Sequence, residues 1–124
     1  MSNRMAYQFR YSYQRDIYEI FMKVTFGATG APTLTYGKGI TSISRVSAGK
    51  YTITLSDKYI KLLMANKMGV SATSPAAEEF YVVSDGSASS TPTIGVQFAA
   101  AGVATDPGNG EVALIQLCLQ NAST

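Results

Sequence analysis

Catalysis needs groups that move protons, attack, or hold a metal, and this chain carries few of them. It has no histidine. That removes Ser-His and Cys-His nucleophiles, imidazole acid–base chemistry and every zinc site with a histidine ligand. A single cysteine, Cys118 in an apolar run, cannot close an internal disulfide and reads as a small buried hydrophobe. The carboxylates remain. Glu78 and Glu79 are the only adjacent acidic pair, and neighbours on a strand point to opposite faces, so a solvated loop is the simpler reading. Asp57 reads as a helix cap, Asp85 and Asp106 as turn residues. Asp106, Asn109 and Glu111 offer oxygen ligands, but their spacing matches no established calcium loop. Gly37-Lys38-Gly39 lacks the length and the Ser/Thr of a phosphate loop. A glycosidase needs two carboxylates set across a cleft, and nothing places them. The expectation is no enzyme, no cofactor and no metal.

The chemistry that is present is that of contact. Tyr7, Phe9, Tyr11 and Tyr13 alternate with Gln8, Arg10, Ser12 and Gln14. Seven of the thirteen aromatic residues (eight Tyr, five Phe) fall in the first twenty-six positions. Terminal segments are ordinarily polar unless docked, and Tyr, Phe and Arg are enriched at protein interfaces. Residues 1–15 therefore read either as an edge strand of the chain's own sheet or as an arm that lies on another subunit. Arg4, Arg10 and Arg15 among aromatics could also stack on single-stranded nucleic acid. A net charge of +2, with charges scattered along the chain, supplies no basic groove to go with them.

The elements that must position these residues are strands. The chain has 124 residues, enough for one domain with its own core. No apolar run reaches membrane-spanning length, and the opening lacks the basic-then-apolar pattern of a secretory signal. Ile17–Phe26 alternates cleanly, with Tyr18, Ile20, Met22, Val24 and Phe26 on one face. Thr33–Tyr36 is a short strand. Ile40–Val46 and Lys50–Ser56 form a hairpin through Ser47-Ala48-Gly49. Tyr51, Ile53 and Leu55 share a face in its second strand, whereas in the first Ile40 and Val46 fall on one face and Ile43 on the other, which predicts either a bulge or cover on both sides.

Ser56-Asp57 followed by Tyr59, Leu62 and Leu63 at i, i+3, i+4 predicts a short helix over Lys58–Leu63. Met64–Ser71, Phe80–Val83 and Ile94–Phe98 read as strands, and Asp85–Pro92 as a polar, exposed loop. Asp106–Gly110 is a turn. Glu111–Leu119 is apolar on both faces, with Ala113, Ile115, Leu117 and Leu119 on one side and Val112, Leu114 and Cys118 on the other. A strand of that kind must be covered twice, and a second subunit can supply the second cover. The predicted architecture is an all-β, antiparallel β-sandwich, jelly-roll-like, with one short helix. Residues 16–124 form the sandwich and residues 1–15 the arm.

Two stretches resemble a family of small tailed-bacteriophage virion proteins. Residues 37–63, GKGITSISRVSAGKYTITLSDKYIKLL, resemble its Gly-flanked strand leading through R…G-x-Y-x-I-x-L to D-x-Y-x-x-L-L. Residues 106–124, DPGNGEVALIQLCLQNAST, resemble its ending, a Pro…Gly turn, an apolar strand and L-x-N-S/A-S. Together they cover about a third of the chain. Characterised members are head decoration, or cement, proteins with jelly-roll or C1q/TNF-like sandwiches, usually homotrimers. The resemblance implies a virion protein that binds the outer capsid surface, bridges major capsid protein subunits and uses no membrane or nucleic acid. The residues expected at capsid or inter-subunit contacts are Tyr7, Phe9, Arg10, Tyr11, Tyr13, Ile115, Leu117 and Leu119. The other reading is a receptor-binding tip of a tail fibre or spike that uses loop Asp85–Pro92.

Overall fold

The computed structural model describes residues 17–70, 78–108 and 110–120. The aromatic arm, with Tyr7, Phe9, Arg10, Tyr11 and Tyr13, lies outside them, as do Asn109 and the ending 121–124. The described chain is built from strands β1 (Ile17–Phe26), β2 (Pro32–Gly37), β3 (Ile40–Ser47), β4 (Lys50–Leu55), β5 (Lys61–Val70), β6 (Glu79–Gly86), β7 (Thr93–Ala100), β8 (Val103–Ala104) and β9 (Val112–Gln120). Sheet I has the order β2-β1-β9-β5 and sheet II the order β3-β4-β7-β6, with β8 beside β7. Every pairing is antiparallel. The expected sandwich is therefore found. Hairpins β1–β2, β3–β4 and β6–β7 pair sequence neighbours, so the likeness to a jelly roll extends to the two packed sheets and not to the winding.

Period-2 alternation explains the core. Ile20, Met22, Val24 and Phe26 of β1 and Ala113, Ile115, Leu117 and Leu119 of β9 face inward from sheet I. Tyr51, Ile53 and Leu55 of β4 and Ile94, Val96 and Phe98 of β7 meet them from sheet II. Burying each large apolar side chain contributes about 1.5–3 kcal/mol. Register is fixed by the same burial: a one-residue slip of β9 would put Leu114, Gln116 and Cys118 in the core instead. At one end Phe26, Tyr51 and Phe98 pack edge-to-face with ring centroids 5.3–5.6 Å apart.

The out-of-phase strand has the predicted bulge. Ile40 pairs with Leu55, but Ser42 pairs with Thr54, so one extra residue enters β3. That shift puts both Ile40 and Ile43 against the core despite their spacing of three.

One element is corrected. Lys58–Leu63 is not a helix: Ser56–Ile60 bends across between the sheets and β5 starts at Lys61. Tyr59 is buried, and its N–H donates to the Ser87 carbonyl at 2.9 Å. The Ile60 N–H donates to Gln120 at 2.8 Å. A six-residue helix is marginal alone, and here the segment gains two tertiary backbone bonds and a core tyrosine by staying extended. A bulge between Leu62 and Met64 turns Leu62 inward and leaves Leu63 exposed.

Candidate functional site

The two outer sheet faces differ in chemistry. The middle of sheet II presents Thr52 and Thr54 from β4 and Thr93 and Gln97 from β7, with Ser42 and Ser44 beside them on β3. Exposed apolar side chains of sheet II lie away from this centre, with Val46 on edge strand β3, Tyr81, Val82 and Val83 on edge strand β6, and Val103 on β8. Sheet I is the opposite. The register aligns Tyr36, Lys23, Leu114 and Met68 in one row across all four strands. The next row is Phe21, Gln116 and Asn66, and the one after it Glu19, Cys118 and Met64. Phe21 is 56% exposed, Tyr36 53%, Met64 52% and Met68 67%.

The first two rows border a groove of about 700 Å³, open to solvent, and the row of Glu19, Cys118 and Met64 lies beside it. Its floor is the sheet itself, and its polar lining residues are Lys23, Asn66, Lys67 and Gln116. Each side chain gets there by alternation. β1 turns Ile20, Met22 and Val24 into the core, so Phe21 and Lys23 must face out. β9 does the same with Leu114 and Gln116. On β5 the bulge resets the phase and brings Asn66 and Met68 outward.

This places the expected contact residues differently. Ile115, Leu117 and Leu119 are 2%, 0% and 0% exposed and pack in the chain's own core. They are not surface contacts. Reading β9 as two-faced was sound, but burial assigned the larger inward set to the chain's own second sheet. The outward set is Val112, Leu114, Gln116 and Cys118. The arm residues Tyr7, Phe9, Arg10, Tyr11 and Tyr13 lie outside the described residues, and the structure brings none of them to this face.

The acidic residues act as fasteners. The Asp106 carboxylate accepts from Arg45 Nε at 3.0 Å and Nη2 at 2.8 Å, from the Gly49 N–H at 2.8 Å and from the Tyr51 hydroxyl at 3.1 Å. Tyr51 also donates to the Gly30 carbonyl at 2.7 Å. The Arg45 guanidinium is the largest influence holding Asp106 below the usual carboxylate range. Burial pushes the Tyr51 phenol upward. Asp106 thereby ties the approach to β9 to the β3–β4 hairpin, and its oxygens are occupied by protein donors.

Asp85 does the same at the other end. It accepts from the Leu62 N–H at 2.8 Å and from the Ser87 hydroxyl at 2.6 Å. Burial works to raise its pKa, but the bonds from Ser87 and Leu62 outweigh it and the net shift is downward. Ser87 and Pro92 are buried, so the loop read as exposed from Asp85 to Pro92 is anchored at both ends and exposed over 88–91.

Glu78 pairs with Lys67, which points inward from edge strand β5 and lies 5.6 Å from the Phe98 ring centroid. Glu79 accepts from the Gly102 N–H at 2.8 Å. Among the described residues no cluster of His, Cys, Asp or Glu is arranged to hold a metal ion, and no helix is long and apolar enough to cross a membrane.

Sequence reasoning missed both fasteners because each links residues remote in the chain. It missed the groove for a related reason: Tyr36, Lys23, Leu114 and Met68 meet only once four strands are in register. The available signal was the second apolar face of β9. Comparison of the chain with protein-family models, with curated proteins and with solved structures returned no match.

Proposed function

We propose that this protein works by contact, as a structural component of an assembled particle, and that the outer face of sheet I is its contact surface. The observation that carries the reading is the asymmetry of the sandwich. One outer face is threonine-rich over its centre, and the other exposes Phe21, Tyr36, Met68 and Leu114 around a groove, with Met64 on the adjoining row. Contiguous exposed apolar surface of this kind marks an interaction site.

The resemblance of residues 37–63 and 106–124 to phage virion proteins supplies the particle. In this reading the chain is a head decoration protein, bound to the outer capsid surface at junctions of the major capsid protein. Many weak contacts per particle then add into strong attachment by multivalency.

The test is a copy count on purified virions of the phage that encodes the chain, by quantitative mass spectrometry. Decoration predicts on the order of hundreds of copies. A few copies, located at the tail, would replace this reading with a tail-tip module.

A further inference from the structure

We propose that the outer face of sheet I packs against the same face of a second copy of this chain, in a two-fold dimer whose axis crosses the strands at the row of Phe21, Gln116 and Asn66. The inference rests on the reading of that face as a contact surface and names its occupant.

The pattern of the face selects a second copy. Gln116 is the middle residue of β9, and Phe21 and Asn66 lie at the middle of β1 and β5. A two-fold axis between the sheets, running across the strands at this row, sets each strand over its own copy, reversed. Residues on the axis then meet themselves. Phe21 meets an aromatic ring, and Gln116 and Asn66 meet amides, which both donate and accept. Residues one row away meet the opposite row. Lys23 lies over the second copy's Glu19, and Glu19 over its Lys23. Leu114 lies over Cys118, and Met68 over Met64. Both charges of the three rows thus face an opposite charge, and the apolar groups face apolar groups. The Glu19 carboxylate accepts from Gln116 Nε2 at 3.1 Å, which steadies it over the sheet. A two-fold running along the strands, between β1 and β9, would instead set Lys23 over Leu114 and Glu19 over Cys118. That arrangement buries charges without partners, at high cost.

The groove and the area agree with this. The groove lies over the rows of Lys23 and Phe21, so it receives the second copy's rows of Glu19 and Phe21. Met64 of the second copy fills the space beside Met68, where two flexible thioether chains adapt to each other. Stacked sheets pack about 30° off parallel. One row from the axis, about 6.6 Å, that angle displaces facing side chains by about 3.5 Å, within the combined reach of a lysine and a glutamate. Strands β1, β9 and β5, each about 30 Å long and about 4.8 Å wide, give a flat footprint of about 430 Å² per copy. The pair therefore buries about 860 Å² before the relief of its side chains is counted, the small end of specific interfaces. Such an area suits a dimer that forms at micromolar concentration.

Charge reversal in the full chain tests this, with sedimentation velocity as the readout. The wild type is expected to dimerise in the micromolar range. Lys23→Glu and Glu19→Lys each set like charges over one another at both ends of the interface. Each alone is expected to associate at least about 10-fold more weakly. Mixing the two variants restores both opposite-charge pairs in a heterodimer, and the double variant restores them in a homodimer. Both positions are exposed, and circular dichroism melts confirm that each variant folds. If a reversal variant does not fold, Lys23→Gln and Glu19→Gln replace it. Either one removes both pairs, so the two together weaken association no further than one. A monomeric wild type, single variants that associate like wild type, or a mixture that fails to pair would overturn the proposal. Met68→Asp combined with Leu114→Asp separates this failure from that of the contact surface. If the wild type is monomeric but that variant no longer binds purified heads, the occupant is wrong and the contact surface stands. If it changes neither association nor head binding, both fall.

Discussion

Replacing Asp106 with alanine separates what holds this fold together from what it contacts. The carboxylate receives two bonds from Arg45, one from the Gly49 N–H and one from the Tyr51 hydroxyl. Arg45 is solvent-exposed, so water and salt screen its contribution and its share is small. The Tyr51 hydroxyl keeps its bond to the Gly30 carbonyl. The Gly49 N–H has no such alternative, and stranding a partly buried donor costs about 1–3 kcal/mol. The total expected loss is about 2–3 kcal/mol. For a chain of 124 residues, each kcal/mol moves Tm by about 3–5 °C, so Asp106→Ala lowers Tm by about 6–15 °C at pH 7. Asp106→Asn keeps the oxygen that Gly49 and Tyr51 use and loses about half as much.

The pH dependence has a definite sign. The folded pKa of Asp106 lies below its ordinary value. The stability this adds is present above the unfolded pKa of about 3.9 and disappears as pH falls through the folded value. Thermal melts of wild type and Asp106→Ala from pH 7 to pH 2 should therefore converge under acid. A variant that melts within about 2 °C of wild type at pH 7, or a gap that widens under acid, refutes the fastening.

Further variants probe the remaining structure. At Gly30, φ is +74° and an added Cβ would sit 2.5 Å from Asp106 Cγ and 2.7 Å from the Tyr51 hydroxyl. Gly30→Ala should cost about 2–4 kcal/mol in urea unfolding, from the left-handed strain and the displaced fastener together. Asp85→Ala frees the Leu62 N–H and the buried Ser87 hydroxyl and should cost about 2 kcal/mol, with faster amide exchange confined to Leu62 and Ser87. Leu117→Ala opens a core cavity and should cost about 2–5 kcal/mol without altering the solution mass of folded protein. Leu114→Ala, on the outer face of the same strand, should do the reverse: the unfolding free energy per subunit stays within about 0.5 kcal/mol while association weakens.

Much of the fold was legible from short-range pattern. Alternation located β1, β4 and β9, and the broken phase of Ile40 and Ile43 narrowed β3 to a bulge or cover on both sides, of which the pairing shows the bulge. Where local pattern misled, a remote partner decided. Tyr59, Leu62 and Leu63 have helical spacing, but the carbonyls of Ser87 and Gln120 and the Asp85 carboxylate capture the backbone of that segment. The two faces of β9 could be listed from sequence, yet which one turned inward depended on the apolar rows of β4 and β7 lying opposite. The groove was illegible because it is made of single residues contributed by four strands. Asp106 read as a turn residue because its donors, Arg45, Gly49 and Tyr51, lie more than fifty positions away.

Cryo-electron microscopy of the particle proposed to carry this chain is the most direct test of the contact surface. Phe21, Tyr36, Met68 and Leu114 are expected to be covered by another chain while Thr52, Thr54 and Thr93 face solvent. Density that leaves the outer face of sheet I bare, with the threonine-rich face of sheet II against the particle, would contradict it.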